Sequence, residues 1–186
     1  MLHPLRNLSP QERRRDSAVA NISADLVKKL RERTGAGVME CKRALEEATG
    51  DIDRAVVVLQ ERGMAMAEKK AHRETSQGMV EAYIHAGGRL GSLVELNCET
   101  DFVARTDDFK QLARDLAMQV VASSPAFVAE EDLPDGAEGD PKDLCLMLQP
   151  FIKDESRTIG DLVKEVIAKT GENIRVRRFT RFELGQ

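Results

Sequence analysis

Aromatic side chains are scarce in this chain, with no Trp, one Tyr and six Phe making 4% of 186 residues. Few flat faces are left on which bases or sugars could stack, which disfavours a dedicated single-strand binder. Basic charge is in no surplus either. Lys and Arg number 28 against 32 Asp and Glu, for a net charge of −4, so nucleic-acid contact is not expected beyond a local patch. No run approaches the ~20 consecutive apolar residues of a membrane-spanning helix, and no membrane association is expected. Three cysteines, Cys41, Cys98 and Cys145, are odd in number and form no C-x-x-C pair. They support neither a disulfide framework nor a zinc site, and suit reduced thiols in a cytosolic compartment. Residues 1–21 carry Arg6, Arg13, Arg14 and Arg15 but no apolar stretch of a secretory signal. Glu12 and Asp16 also set them apart from an organellar transit peptide, and they read as a disordered tail.

What is present is helix-forming and well punctuated. Ser23 caps a helix to Thr34, with Leu26, Val27 and Leu30 on one face and Gly35 as its stop. Val38, Cys41, Ala44, Leu45 and Ala48 recur at helical spacing until Thr49-Gly50. Asp51 then caps a third helix with Ile52, Ala55, Val56 and Leu59 inside and Val57 and Val58 off the stripe. A three-helix domain over 22–62 is expected, followed by a helical connector over 63–77 and an α+β core over 78–186.

In that core, residues 79–85 and 89–98 alternate around Gly87-Gly88, a hairpin signal, with Val80, Ala82 and Ile84 sharing one face and Leu90, Ser92, Val94 and Leu96 sharing another. Thr106 or Asp107 caps the most regular helix, with Phe109, Leu112, Ala113, Leu116, Ala117, Val120 and Val121 at i, i+3, i+4 spacing up to Ser124-Pro125. An acidic stretch punctuated by Pro and Gly, 130–143, reads as a mobile loop. Pro150-Phe151-Ile152 is extended, Thr158 and Asp161 open a last helix that Gly171 stops, and residues 174–184 form a strand that completes the sheet.

Candidate chemistry is thin. Gly87-Gly88-Arg89-Leu90-Gly91 lacks the Lys-Ser/Thr of a phosphate loop and sits between strands. His3, His72 and His85 are too scattered for a shared metal site. Cys98 could face His85 across the hairpin, yet no third orienting group accompanies them, and a buried thiol is the simpler reading. Arg175, Arg177, Arg178 and Arg181, interleaved with Phe179 and Phe182, fit a strand with one wet face, although the alternation slips near Arg178 and Phe179. No catalytic residue, metal ligand or cofactor site is assigned. One constellation stands out: in Asn97-Cys98-Glu99-Thr100-Asp101-Phe102-Val103-Ala104, Phe102 falls outside the Phe109 stripe. It is either tucked under the loop or offered to a partner, and on residue types alone packing is the favoured choice.

The run from Leu26 to Leu45, Leu-Val-Lys-Lys-Leu-Arg-Glu-Arg-Thr-Gly-Ala-Gly-Val-Met-Glu-Cys-Lys-Arg-Ala-Leu, closely resembles the opening of the bacterial elongation factor Ts family. Gly50-Asp51-Ile52, the block from Asn97 to Ala104, Gln149-Pro150-Phe151-Ile152-Lys153-Asp154, Gly171-Glu172-Asn173-Ile174 and Arg181-Phe182-Glu183-Leu184-Gly185 resemble further motifs of that family, in its order. The resemblance implies a ubiquitin-associated-like three-helix domain and an α+β core. It implies a guanine nucleotide exchange factor for elongation factor Tu, acting by binding rather than covalent catalysis, in a bacterial cytoplasm ahead of an organellar matrix. It assigns Thr100, Asp101, Phe102 and Val103 to a segment that intrudes on the partner's magnesium and phosphate site. Arg33, Val38 and Met39 would dock on a helix of the partner, and Phe102 becomes a contact rather than a packed residue. A single copy of the hairpin and helix resembles the short form of the family, which implies a homodimer. Between Pro134 and Gln149 the chain carries less than the helical segment usual in the family. A non-catalytic adaptor that binds elongation factor Tu without exchange is therefore the alternative.

Overall fold

The computed structural model describes residues 22–185; the tail expected over residues 1–21 lies outside them. The chain divides into two compact units, one ending at Arg62 and one beginning at Gly63.

The first unit holds α1 (Ala24–Thr34), α2 (Val38–Glu47) and the opening of α3 (Ile52–Lys70). Ser23 Oγ accepts from the Leu26 amide at 3.3 Å, and Gly35 ends α1 in the left-handed region at φ 68°, returning its N–H to Arg31 O. Asp51 Oδ1 accepts from the amides of Asp53 and Arg54, satisfying two of the orphan donors at the start of α3. Leu30, Cys41, Ala44, Leu45, Ala48 and Ala55 form a buried core with Leu26, Val27, Ile52, Val58 and Leu59 around it. Val58 thus packs on the core, while Val57 stays exposed.

The third helix does not stop at Gly63. Residues 63–70 continue it without a break, and Gly63 is buried, so that a methyl there would lie 3.1 Å from Ala168 Cβ. The glycine is a close-approach residue rather than a breaker.

The second unit is α+β. Strands β1 (Gln77–Ile84), β2 (Leu90–Cys98) and β5 (Ile174–Glu183) form an antiparallel sheet in the order β1-β2-β5. Gly87 and Gly88 turn the hairpin at φ 88° and 67°, both positive, which only glycine adopts without strain. One sheet face packs on α5 (Asp107–Ser123): Val94, Leu96 and Cys98 are buried there with Phe109, Leu112, Leu116 and Val120. The polar Ser92 in that row is also buried, its hydroxyl donating to Ala117 O at 2.8 Å. Met79 and Tyr83 join the same core from β1, so Val80 and Ile84 share the outward face with Leu93 and Phe182. The slip in alternation near Arg178 is a bulge: Glu95 pairs with Arg178 and Leu96 with Val176, leaving Arg177 as the extra residue.

Beyond α5, the acidic stretch is exposed but turned at both ends, by a 3-10 turn at Glu130–Asp132 and by α6 (Pro141–Leu144), whose first turn Asp140 caps. A strand that the sequence reading leaves out follows: β4 (Asp154–Thr158) pairs with β3 (Pro150–Phe151) in a small ribbon. The last helix, α7 (Ile159–Thr170), starts on a reciprocal Thr158 and Asp161 cap and ends at Gly171, φ 74°. Fully buried Gln119 ties the ribbon to α5, donating to Pro150 O and Gln149 Oε1 and accepting from the Ile152 amide.

Candidate functional site

Between β2 and α5 the chain makes one helical turn, α4 (Asp101–Ala104), with Thr100 as its N-cap. Thr100 Oγ1 accepts from the Val103 amide at 3.4 Å, and Thr106 Oγ1 donates to Val103 O at 2.8 Å before capping α5 itself. Val103 is buried in the core, whereas Phe102, one residue earlier and so about 100° around the turn, is 78% exposed. The residue is offered outward, not packed under the loop. Asp101 Oδ2 forms an exposed ion pair with Arg105 at 2.7 Å.

A second loop holds this one. The Glu172 carboxylate accepts from the Thr100 amide at 3.0 Å and from its hydroxyl at 2.7 Å. In the reverse direction Glu99 Oε1 accepts from the Asn173 amide at 2.7 Å, and its other oxygen lies 3.5 Å from Arg73. Buried Asn173 donates to Arg73 O at 2.8 Å, and Lys70 Nζ donates to Gly171 O. Cys98 lies beneath, its thiol donating to Thr100 O; burial, and then the nearby Glu172 charge, push its pKa up to about 11. That thiol is neutral and no nucleophile. His85 is at the opposite end of the hairpin, hydrogen-bonded to Tyr83 Oη, so the two are not brought together.

In the first unit, Val38 and Met39 lie in the first turn of α2 and are 52% and 59% exposed. Arg33, in the last turn of α1, pairs with Asp53 at 2.6 Å. The seven residues singled out in the sequence thus fall into two sets, 33–39 and 100–103, one in each unit. Glu99, Glu172 and Asn173, which build the second set's support, carry no role in the sequence reading. The only signal was that both blocks appear among the recurring motifs, with nothing in either to link it to the other. Among the described residues no group of three or more His, Cys, Asp or Glu could hold a metal ion.

Three helices followed by an α+β unit, with Val38 and Met39 exposed on one helix and Phe102 exposed on a capped turn, define a mixed helix-and-sheet protein that presents apolar side chains at its surface. The chain belongs to the elongation factor Ts family, whose pattern matches residues 15–139. It is 51% identical over 195 aligned positions to elongation factor Ts of Carboxydothermus hydrogenoformans, taking in 89% of this chain and 90% of that relative. With elongation factor Ts of Thermotoga neapolitana it shares 49% identity, covering 89% of this chain and 98% of the relative. The Thermosynechococcus vestitus elongation factor Ts is 48% identical over 90% of this chain, but only 67% of its own length is covered. The first alignment is longer than the whole of this chain while leaving part of it out, so that relative carries residues that this chain lacks.

Proposed function

We propose that this chain is a guanine nucleotide exchange factor for elongation factor Tu in bacterial protein synthesis, working in the cytoplasm through binding alone. The observation that supports this most is Phe102: a large apolar side chain, 78% exposed, on a capped turn whose neighbour Val103 is anchored in the core. Thr100, Asp101, Phe102 and Val103 form the segment that would disturb the partner's magnesium and phosphate region, with Phe102 entering, Asp101 adding charge, and Thr100 and Val103 holding the turn. Arg33, Val38 and Met39 would dock the first unit on a helix of the GTPase.

The mechanism is linkage. A factor that binds nucleotide-free partner more tightly than GDP-bound partner weakens GDP by the same ratio. Magnesium is among the largest local charges on the phosphates, so displacing its ligands removes a strong contribution to nucleotide affinity. Burying one phenylalanine supplies only ~1.5–3 kcal/mol, roughly ten- to hundred-fold in an equilibrium constant, and the rest of the interface must supply the remainder.

We further assign the outward sheet face, where Val80, Ile84, Leu93 and Phe182 are exposed, to a homodimer contact. A dimer mass by light scattering supports it, and a monomer at micromolar concentration overturns it.

The decisive experiment is release of a fluorescent GDP analogue from the cognate elongation factor Tu, chased with unlabelled GDP, with and without this protein. Faster release, lost in Phe102→Ala, is the expected result. Binding with an unchanged release rate would instead favour the adaptor reading, which the residues missing relative to the Carboxydothermus protein motivate.

A further inference from the structure

We infer that Glu172 is a positioning residue for exchange, clasping Thr100 so that Phe102 is presented at a fixed angle; this rests on the role given to Phe102 above. An exposed ring has no packing of its own to orient it, so its direction is set by the backbone of its turn. Val103 fixes one side of that turn by burial, and Thr106 receives its end. The beginning is different. Strand β2 ends at Cys98, and the Thr100 amide has left the ladder. Glu172 supplies its acceptor, and the same carboxylate takes the Thr100 hydroxyl, so one charged group fixes two donors of the residue that caps α4. Such charge-assisted bonds are shorter and stronger than neutral ones.

The clasp is reciprocal. Glu172 receives an N–H from the 99–100 loop, and Glu99 returns the favour by receiving the Asn173 N–H from the 172–173 loop. Gly171, in the left-handed region, turns the chain out of α7 so that Glu172 reaches across, and Lys70 holds the Gly171 carbonyl. Asn173 is buried and tied to the backbone at Arg73. The loop carrying Glu172 is therefore itself anchored, which a positioning group requires. Glu172 bonds Thr100, two residues before Phe102, although it stands 72 residues from Thr100 in sequence, and it does not need to touch the partner to affect exchange.

The test is GDP-analogue release from elongation factor Tu, stimulated by the full chain at sub-saturating concentration, with hydrogen exchange over residues 99–104 measured in parallel. Glu172→Ala is expected to slow exchange about tenfold, the scale of one charged hydrogen bond, and to speed amide exchange in that loop. Glu172→Gln, which keeps one acceptor oxygen, should fall between Glu172→Ala and the parent. Because Glu172 acts through Phe102, adding Glu172→Ala to Phe102→Ala should slow exchange no further. Additive losses in that pair, or full exchange by Glu172→Ala while Phe102→Ala is slow, would overturn the clasp and leave the exchange reading standing. An unaffected Phe102→Ala would overturn the role of Phe102 and the clasp with it. Should Glu172→Ala fail to fold, Thr100→Val removes one of the two donors from the other side and must show the same coupling to Phe102.

Discussion

The two units present their exposed apolar residues by different means. In the first, Val38 and Met39 sit on a full helix, and Arg33 is tied to Asp53 across the start of α3. In the second, Phe102 sits on a single helical turn that contacts 72 residues away must hold. Their cores differ in the same sense. The first is built from Leu30, Leu45, Cys41 and three alanines, all close in sequence; the second gathers Phe109, Leu116, Leu96, Leu146 and Ile159 from four elements. A unit stabilised by neighbouring helices depends on caps and a few leucines, whereas one closed by distant strands depends on register.

The largest effects should come from the cores. Phe109→Ala, at a fully buried site, should cost ~3–5 kcal/mol in chemical denaturation of the second unit. Leu45→Ala should cost ~2–5 kcal/mol and strip hydrogen-exchange protection from residues 24–59; unchanged protection there would break the contrast between the cores. Gly78→Ala tests dependence on register: φ is 149° and a methyl would lie 2.1 Å from Leu96 O, so the end of the hairpin must shift. A loss of about 1–3 kcal/mol, the scale for a strained backbone position, is expected by urea titration.

Smaller effects sharpen the comparison. Folded Cys98 keeps its proton up to about pH 11, while an unfolded thiol loses it near 9.0. Above pH 9 the unfolded state binds fewer protons, so stability contributed by the neutral thiol declines as pH rises toward 11. Cys98→Ala should flatten that decline, measured as denaturation midpoint against pH. Ser23→Ala should cost ~1 kcal/mol through the lost α1 cap. Phe102→Ala, truncating an exposed ring, should change stability by less than about 0.5 kcal/mol, and a larger loss would mean that the ring is structural.

Local signals were readable in advance. Ser23, Thr106 and Thr158 cap where the spacing of polar and apolar residues placed them, Gly35 and Gly171 stop their helices, and Gly87-Gly88 turns the hairpin. β4 was not, because Asp154–Thr158 is polar and short and is a strand only through its pairing with β3. The close fit of Gly63 against Ala168 was not readable either, because it depends on a helix about a hundred residues further along the chain.

Helices, caps, the hairpin and the family motifs follow from residues within one or two turns of each other, where propensity and side-chain hydrogen bonds act over a few residues. Which face of β1 looks outward, and which loop holds Phe102, depend on contacts that exist only once the sheet is closed. Pairing of Cys98 with Ile174 sets Glu99 and Thr100 beside Glu172 and Asn173. That register is decided by the summed burial of Val94, Leu96 and Ile174 against α5, not by anything either loop carries alone.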